Sequence, residues 1–215
     1  HTQLIYDIVL KLANLTETEV RLLQRYFSPS FVLGLLDRFD SEQNRERDYL
    51  KTILHRIYGN FMQLRPFIRT AINHVFYRII YDTDRFCGTS ELLEILGSII
   101  NGFALPLKEQ HKIFLMRVLL PMHKVSSISG FLGQLTYCLT QFLDKDPTLC
   151  SHIITAIVYY WPRTSCKKEL LFLKELDDII DKIQQPKFLT ENAFRLVFEK
   201  LSQCIVSPHF QISER

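Results

Sequence analysis

Residues 50–65 read LKTILHRIYGNFMQLR, and His55, Arg56, Tyr58, Met62 and Arg65 crowd into that short run. Their types suit capture rather than bond-making. Arginine offers charge-assisted donors to a carboxylate or phosphate, and histidine offers one more. Tyrosine and methionine add apolar contact, and Tyr and Arg are enriched at binding hot spots. Further along, Ile95 and Ile99 stand four apart, and Lys108 and His111 stand three apart, a spacing that puts each pair on one helical face.

The spacings that make or break bonds are absent from the sequence. There is no Gly-rich phosphate loop, HExxH or GxSxG, and the five cysteines form no CxxC. The seven histidines are scattered. His55 and His111 lack a second ligand at metal spacing on their own helices, so neither metal nor cofactor is expected. His74, His123, His152 and His209 read as packing or boundary residues. The carboxylate pairs Glu91 with Glu94 and Asp177 with Asp178 read as solvated helix faces, and Arg45–Asp48, RERD, as a solvent-facing run of ion pairs. No catalytic residue is assigned, and the chain is not expected to be an enzyme.

The elements that must position these residues are helices. Apolar residues recur at three and four with no useful strand-like alternation. The spacing predicts helices at about 2–13, 17–26, 29–39, 44–60, 65–82, 90–104, 108–123, 130–144, 148–161, 166–183 and 188–206. Pro29, Pro106, Pro147, Pro186 and Pro208 fall at or near the joints. Ser28 before Pro29, and Thr89 before Glu91, give capping and first-turn signals. Helix pairs starting near 45, 90, 128 and 166 recur at roughly the 40-residue period of HEAT-type repeats. The expected fold is therefore all-α, a HEAT-like helical-repeat solenoid (an α-α superhelix). It is expected to be a single domain over residues 1–215, cut from a longer chain.

Rotation by about 100° per residue puts Ile53, Ile57, Phe61 and Leu64 on one core-forming sector. His55, Tyr58, Met62 and Arg65 take a second sector about 120° away, with Arg56 beyond its edge. In Ser90–Phe103, Leu92, Leu96, Ile100 and Phe103 make the stripe and Ile95 and Ile99 lie at its edge. Repeat stacking predicts an apolar slot of Tyr58, Met62, Ile95 and Ile99 rimmed by His55, Arg56, Arg65, Lys108 and His111. A short extended peptide with apolar anchors and an acidic end fits such a slot.

Composition agrees with a packed chain and forces no partner. Of 215 residues, 47% are hydrophobic, with 16 Phe and 9 Tyr, which excludes disorder. A formal net charge of +3 is weaker than a dedicated nucleic-acid binder shows. The longest uncharged run, Val125–Leu143, carries Ser, Thr, Gln and two glycines and does not read as a membrane span. Odd, widely spaced cysteines read as reduced packing residues in the cytosol.

The segments RERDYLKTILHRIYG (45–59) and ELLEILGSIINGFALPLKEQHKIFL (91–115) closely resemble the B-prime family of protein phosphatase 2A regulatory subunits. LLPMHKV (119–125), YYWP (159–162) and SPHFQISER (207–215) resemble it as well. The resemblance implies a HEAT-like superhelix that joins the phosphatase scaffold and catalytic subunits and holds Leu-x-x-Ile-x-Glu motifs of substrate proteins in a concave pocket. It assigns the pocket to His55, Arg56, Tyr58, Arg65, Ile95, Ile99, Lys108 and His111. Met62 stands where the family usually has Leu, a swap of similar volume. Departures fall at Asp84–Cys87, Ser126–Gly133 and Phe188–Phe194, where they bear on loop contacts to partners. Expected with it are a monomer when alone, no nucleic acid or membrane partner, and a cytoplasmic location extending to the nucleus. The alternative is a nucleic-acid-binding or generic scaffold solenoid using the same basic rim.

Overall fold

The computed structural model describes residues 2–13, 26–82, 85–183 and 188–206. Among them every regular element is helical and none is a strand. The chain divides into two compact units, His1–Ile95 and Leu96–Arg215.

The first unit holds α1 (Thr2–Ala13), α2 (Pro29–Arg38), α3 (Asn44–Asn60), α4 (Arg65–Tyr77) and the opening of α5 (Thr89–Asn101). Helix α3 is its axis, packing on α1 and α2, while α2 also meets α4. The reason is its apolar stripe: Leu50, Ile53, Leu54 and Ile57 are fully buried, each contributing about 1.5–3 kcal/mol. Phe39, Phe61, Ile68, Ile72 and Phe76 complete the core. Pro29 starts α2, and the Ser28 hydroxyl accepts the Phe31 N–H at 3.3 Å. Thr89 behaves otherwise than its spacing predicts. It is the first residue of α5, and its hydroxyl donates backward to the Phe86 carbonyl at 2.9 Å.

Two polar readings are corrected here. The alternating charges of 45–48 do not all face solvent. Arg47, with a side chain only 12% exposed, donates to Glu91 at 2.8 Å and to the Ser41 carbonyl at 2.7 Å. Glu46 accepts from Tyr6 and from Ser41. Glu91 and Glu94 are not a solvated face either, because Lys51 reaches Glu94 at 2.6 Å. Arg47 and Lys51 lie one turn apart on α3 and meet carboxylates one turn apart on α5, so the pairs fasten the two helices. Burial opposes the Lys51 charge, yet the hydrogen bonds and fields of Glu94 and Asp48 together outweigh it and hold its pKa above the usual lysine value.

The second unit contains the rest of α5, then α6 (Glu109–Phe114), α7 (Leu132–Lys145), α8 (Cys150–Tyr159), α9 (Cys166–Asp181) and α10 (Glu191–Ile205). Helix α7 packs on α9 and α8 on α10. First helix thus meets first and second meets second, the register of stacked helical repeats. The predicted helix 108–123 is α6 followed by a wider π turn at Leu115–Leu119 and a tighter 3₁₀ turn at Leu120–Lys124. The predicted helix 65–82 likewise ends in a π turn, Arg78–Asp82. Pro186, Pro208, His209 and nearly all of the predicted helix 17–26 lie outside the described residues.

His123 was expected to be a packing or boundary residue, and it is buried and hydrogen-bonded to a buried carboxyl group, Glu175. Its Nδ1–H donates to the Leu120 carbonyl at 2.8 Å, and Nε2 lies 3.1 and 3.2 Å from the two Glu175 oxygens. The side chains are 0% and 1% exposed. His74 and His152 are exposed, and so are Asp177 and Asp178. All five cysteines are free thiols, with Cys138, Cys150 and Cys204 buried as packing residues and Cys87 exposed. Among the described residues, no helix is long and apolar enough to cross a membrane.

Candidate functional site

The predicted site residues fall in both units, and each unit builds its share differently. In the first, α3 ends at Asn60, and Phe61 leaves the helix with φ −111° and ψ 80°. A single helical wheel over 50–65 therefore fails beyond residue 60. Phe61 and Leu64 still turn inward, 1% and 6% exposed, but Met62 opens a 3₁₀ turn, Met62–Leu64, and Arg65 begins α4.

Arg65 then folds back over the end of α3. Its Nε–H donates to the Tyr58 carbonyl at 2.8 Å and an Nη2–H to the Gly59 carbonyl at 3.0 Å. Those carbonyls lie in the last turn, where no further intrahelical donor is available, and a cation there also suits the negative end of the helix dipole. The same guanidinium sits over the Tyr58 ring, 5.3 Å from its centroid. Arg69, one turn further on α4, donates to the Tyr58 hydroxyl at 2.9 Å.

Tyr58 is thus held at its carbonyl, its ring and its hydroxyl by two arginines. Sequence reading missed Arg69, although its spacing of four from Arg65 was a signal for it. His55 and Arg56 are exposed on α3, and Met62 is 70% exposed. Ile95 is 2% exposed and is already part of the packed interior.

In the second unit Ile99 is buried in the same way, 4% exposed. Lys108 is the exposed N-terminal cap of α6, and its carbonyl accepts the His111 N–H at 2.9 Å, which ties the two residues together. The His111 ring stacks on Phe103 with centroids 3.7 Å apart and planes 4° from parallel. Phe103 in turn meets Phe142 edge-on at 6.2 Å.

The structure therefore groups Tyr58 with Arg65 and Arg69, and Lys108 with His111, and it buries the two isoleucines. Each guanidinium keeps donors beyond those it spends on the protein. Fixed cations beside an exposed thioether can take an acidic ligand that also carries an apolar side chain. Because Arg65 is held in place before any ligand arrives, little ordering of its side chain is left for binding to impose.

A family profile described as protein phosphatase 2A regulatory B subunit (B56 family) matches residues 1–215. The chain is 53% identical over 215 residues to the B' beta isoform of the 57 kDa regulatory subunit of serine/threonine protein phosphatase 2A from Arabidopsis thaliana, covering 100% of this chain and 43% of that one. It is 52% identical over 215 residues to the delta isoform of the human 56 kDa regulatory subunit, covering 100% of this chain and 35% of the relative. The chain thus spans less than half the length of these relatives.

Proposed function

The chain belongs to the B56 family of protein phosphatase 2A regulatory B subunits, and from that premise we propose that it is a non-catalytic, substrate-recruiting segment docking Leu-x-x-Ile-x-Glu peptides for serine/threonine dephosphorylation. Its partners are the phosphatase scaffold and catalytic subunits and the proteins that carry the motif. The chain acts as a monomer in the cytoplasm and also in the nucleus. The whole chain behaves as one repeat domain.

The observation that carries this reading is the double hold on Tyr58. Arg65 and Arg69 fix a tyrosine, a residue type enriched at binding hot spots, and Met62 in the turn that follows is left 70% exposed, an arrangement that core packing alone does not require. The ligand's apolar anchor lies against Tyr58 and Met62 and its acidic end meets His55, Arg56 and Arg65. Ile95, Ile99, Lys108 and His111 are the remaining residues that the resemblance assigns to the motif. An anchor contributes about 2 kcal/mol by burial and a charge-assisted hydrogen bond about 1.5–3 kcal/mol. After ordering costs, micromolar affinity, about −8 kcal/mol, is expected.

Charge reversal tests the acidic end. Arg56→Glu places a repelling carboxylate on an exposed position, so the fold should be kept and affinity for a motif peptide should fall at least about tenfold, 1.4 kcal/mol. Raising salt should weaken binding of the parent chain and a phosphate beside the motif should strengthen it. Fluorescence anisotropy with a labelled peptide reads all three. An Arg56→Glu chain that is folded and binds unchanged would refute the assignment.

A further inference from the structure

The His123–Glu175 couple takes no part in docking, and its hydrogen-bond geometry carries a proton inventory. Nδ1 lies 2.8 Å from the Leu120 carbonyl, which can only accept, so that nitrogen bears hydrogen. Nε2 lies 3.1 and 3.2 Å from the two carboxylate oxygens of Glu175. If neither partner held a further proton, a nitrogen lone pair would face a carboxylate in a site 0% and 1% exposed. Thr136 cannot supply the missing hydrogen to that contact. Its single hydroxyl proton is shared between Glu175 Oε1 and the Leu132 carbonyl, each at 2.9 Å.

We infer that the folded second unit keeps one extra proton on this couple, as imidazolium with carboxylate or as imidazole with carboxylic acid, and that this proton latches the Leu120–Lys124 turn to α7 and α9. The latch is a pH-sensitive device: the second unit loosens as alkaline solution withdraws the proton. Both placements hold the same number of protons, so the inference does not depend on which one dominates.

The surroundings leave Glu175 as the charged partner. Tyr160 lies parallel to the imidazole at 6.3 Å and Phe172 meets it edge-on at 5.6 Å. Lys174 and Asp178 of α9 stand with Glu175 along a groove of about 390 Å³ between α7 and α9. Thr136 also lines that groove. Lys124 is exposed, and Lys168 is spent on the Ser126 carbonyl at 2.6 Å. Burial opposes the charged ring, but the field and hydrogen bond of Glu175, with the Leu120 carbonyl, raise the His123 pKa above 6.5.

The sign follows from linkage. A raised folded-state pKa means that stability is full below pH 6.5, the unfolded value, and is lost as pH rises through the folded value. Urea unfolding of the 215-residue chain between pH 6.5 and about 8 tests the latch, before the buried thiols, also shifted upward, begin to contribute. The folding constant should fall as pH rises, with about tenfold per pH unit as the ceiling for one proton.

Glu175→Gln replaces the titrating pair with an amide that can donate to neutral Nε2 and still accept from Thr136, so it should remove that share of the slope. In parallel, nitrogen-detected NMR of the parent chain should show the His123 ring shifts changing with a midpoint above pH 6.5 as the couple loses its proton, whichever partner carries it. An unchanged slope in Glu175→Gln, or a midpoint of the His123 shifts at or below 6.5, overturns the inference. If Glu175→Gln fails to fold, the NMR result on the parent chain decides it.

Discussion

Glu175→Ala is expected to remove about 3–5 kcal/mol of folding stability at neutral pH, the range for stripping one member from a buried ion pair. Two groups lose a partner at once: His123 Nε2 is left without Glu175, and the Thr136 hydroxyl retains only the Leu132 carbonyl, while a hole opens where the buried side chain stood. Water entering along the groove between α7 and α9 offsets part of this and favours the lower end of the range. The conservative Glu175→Gln change should cost far less near pH 8, because an amide satisfies both neighbours. Urea midpoints for the two variants, read at constant m-value, separate the charge from the shape. A loss below about 1 kcal/mol for Glu175→Ala would show that the couple does not fasten the second unit.

Gly88→Ala should be the most damaging single methyl group in the first unit, at about 3 kcal/mol, the upper part of the overpacking range. A Cβ at this position would lie 2.5 Å from the Phe39 carbonyl oxygen and 2.7 Å from the Phe39 Cβ. Neither atom can yield easily. Phe39 is fully buried, the Cys87 N–H is tied to Asp40 Oδ1 at 2.9 Å, and the Gly88 carbonyl accepts the Leu92 N–H at 3.0 Å in the first turn of α5. Relief would have to come from moving the start of α5, which would pull Glu91 and Glu94 away from Arg47 and Lys51. Gly59→Ala is the matched control. Nothing lies within 4 Å of a Cβ there, and in α3 the exchange is favoured by helix propensity. Thermal denaturation of the pair should show a clear drop for Gly88→Ala and little change or a gain for Gly59→Ala.

The helices were legible because their apolar stripes are regular. α3 buries Ile53 and Ile57 as its periodicity required, and Pro29 with Ser28 fixed the start of α2. Periodicity could not show where a helix widens or tightens, since a π or 3₁₀ turn shifts the register by less than a residue. The rod from Glu109 to Lys124 therefore read as one helix. The end of α3 at Asn60 and the restart at Arg65 were legible, but the intervening 3₁₀ turn, with Phe61 and Leu64 both turned inward, was not.

Partners distant in sequence were the larger gap. Arg47, Glu91 and Glu94 read as solvated until α3 and α5 were placed together, and His123 lies 52 positions from Glu175. At the candidate site the residue types and the break after residue 60 were legible, whereas the fold-back of Arg65 and the hold of Arg69 on Tyr58 depend on the turn between the helices, whose geometry the spacing does not give.

The docking claim is tested most directly by calorimetric titration of the chain with a twelve-residue Leu-x-x-Ile-x-Glu peptide beside the variant whose Leu and Ile are both Ala. One-to-one binding in the micromolar range, with loss of about 2 kcal/mol per anchor and hence no measurable heat from the double-Ala peptide, is the predicted result. Equal binding of both peptides, or binding of neither by the folded chain, would contradict it.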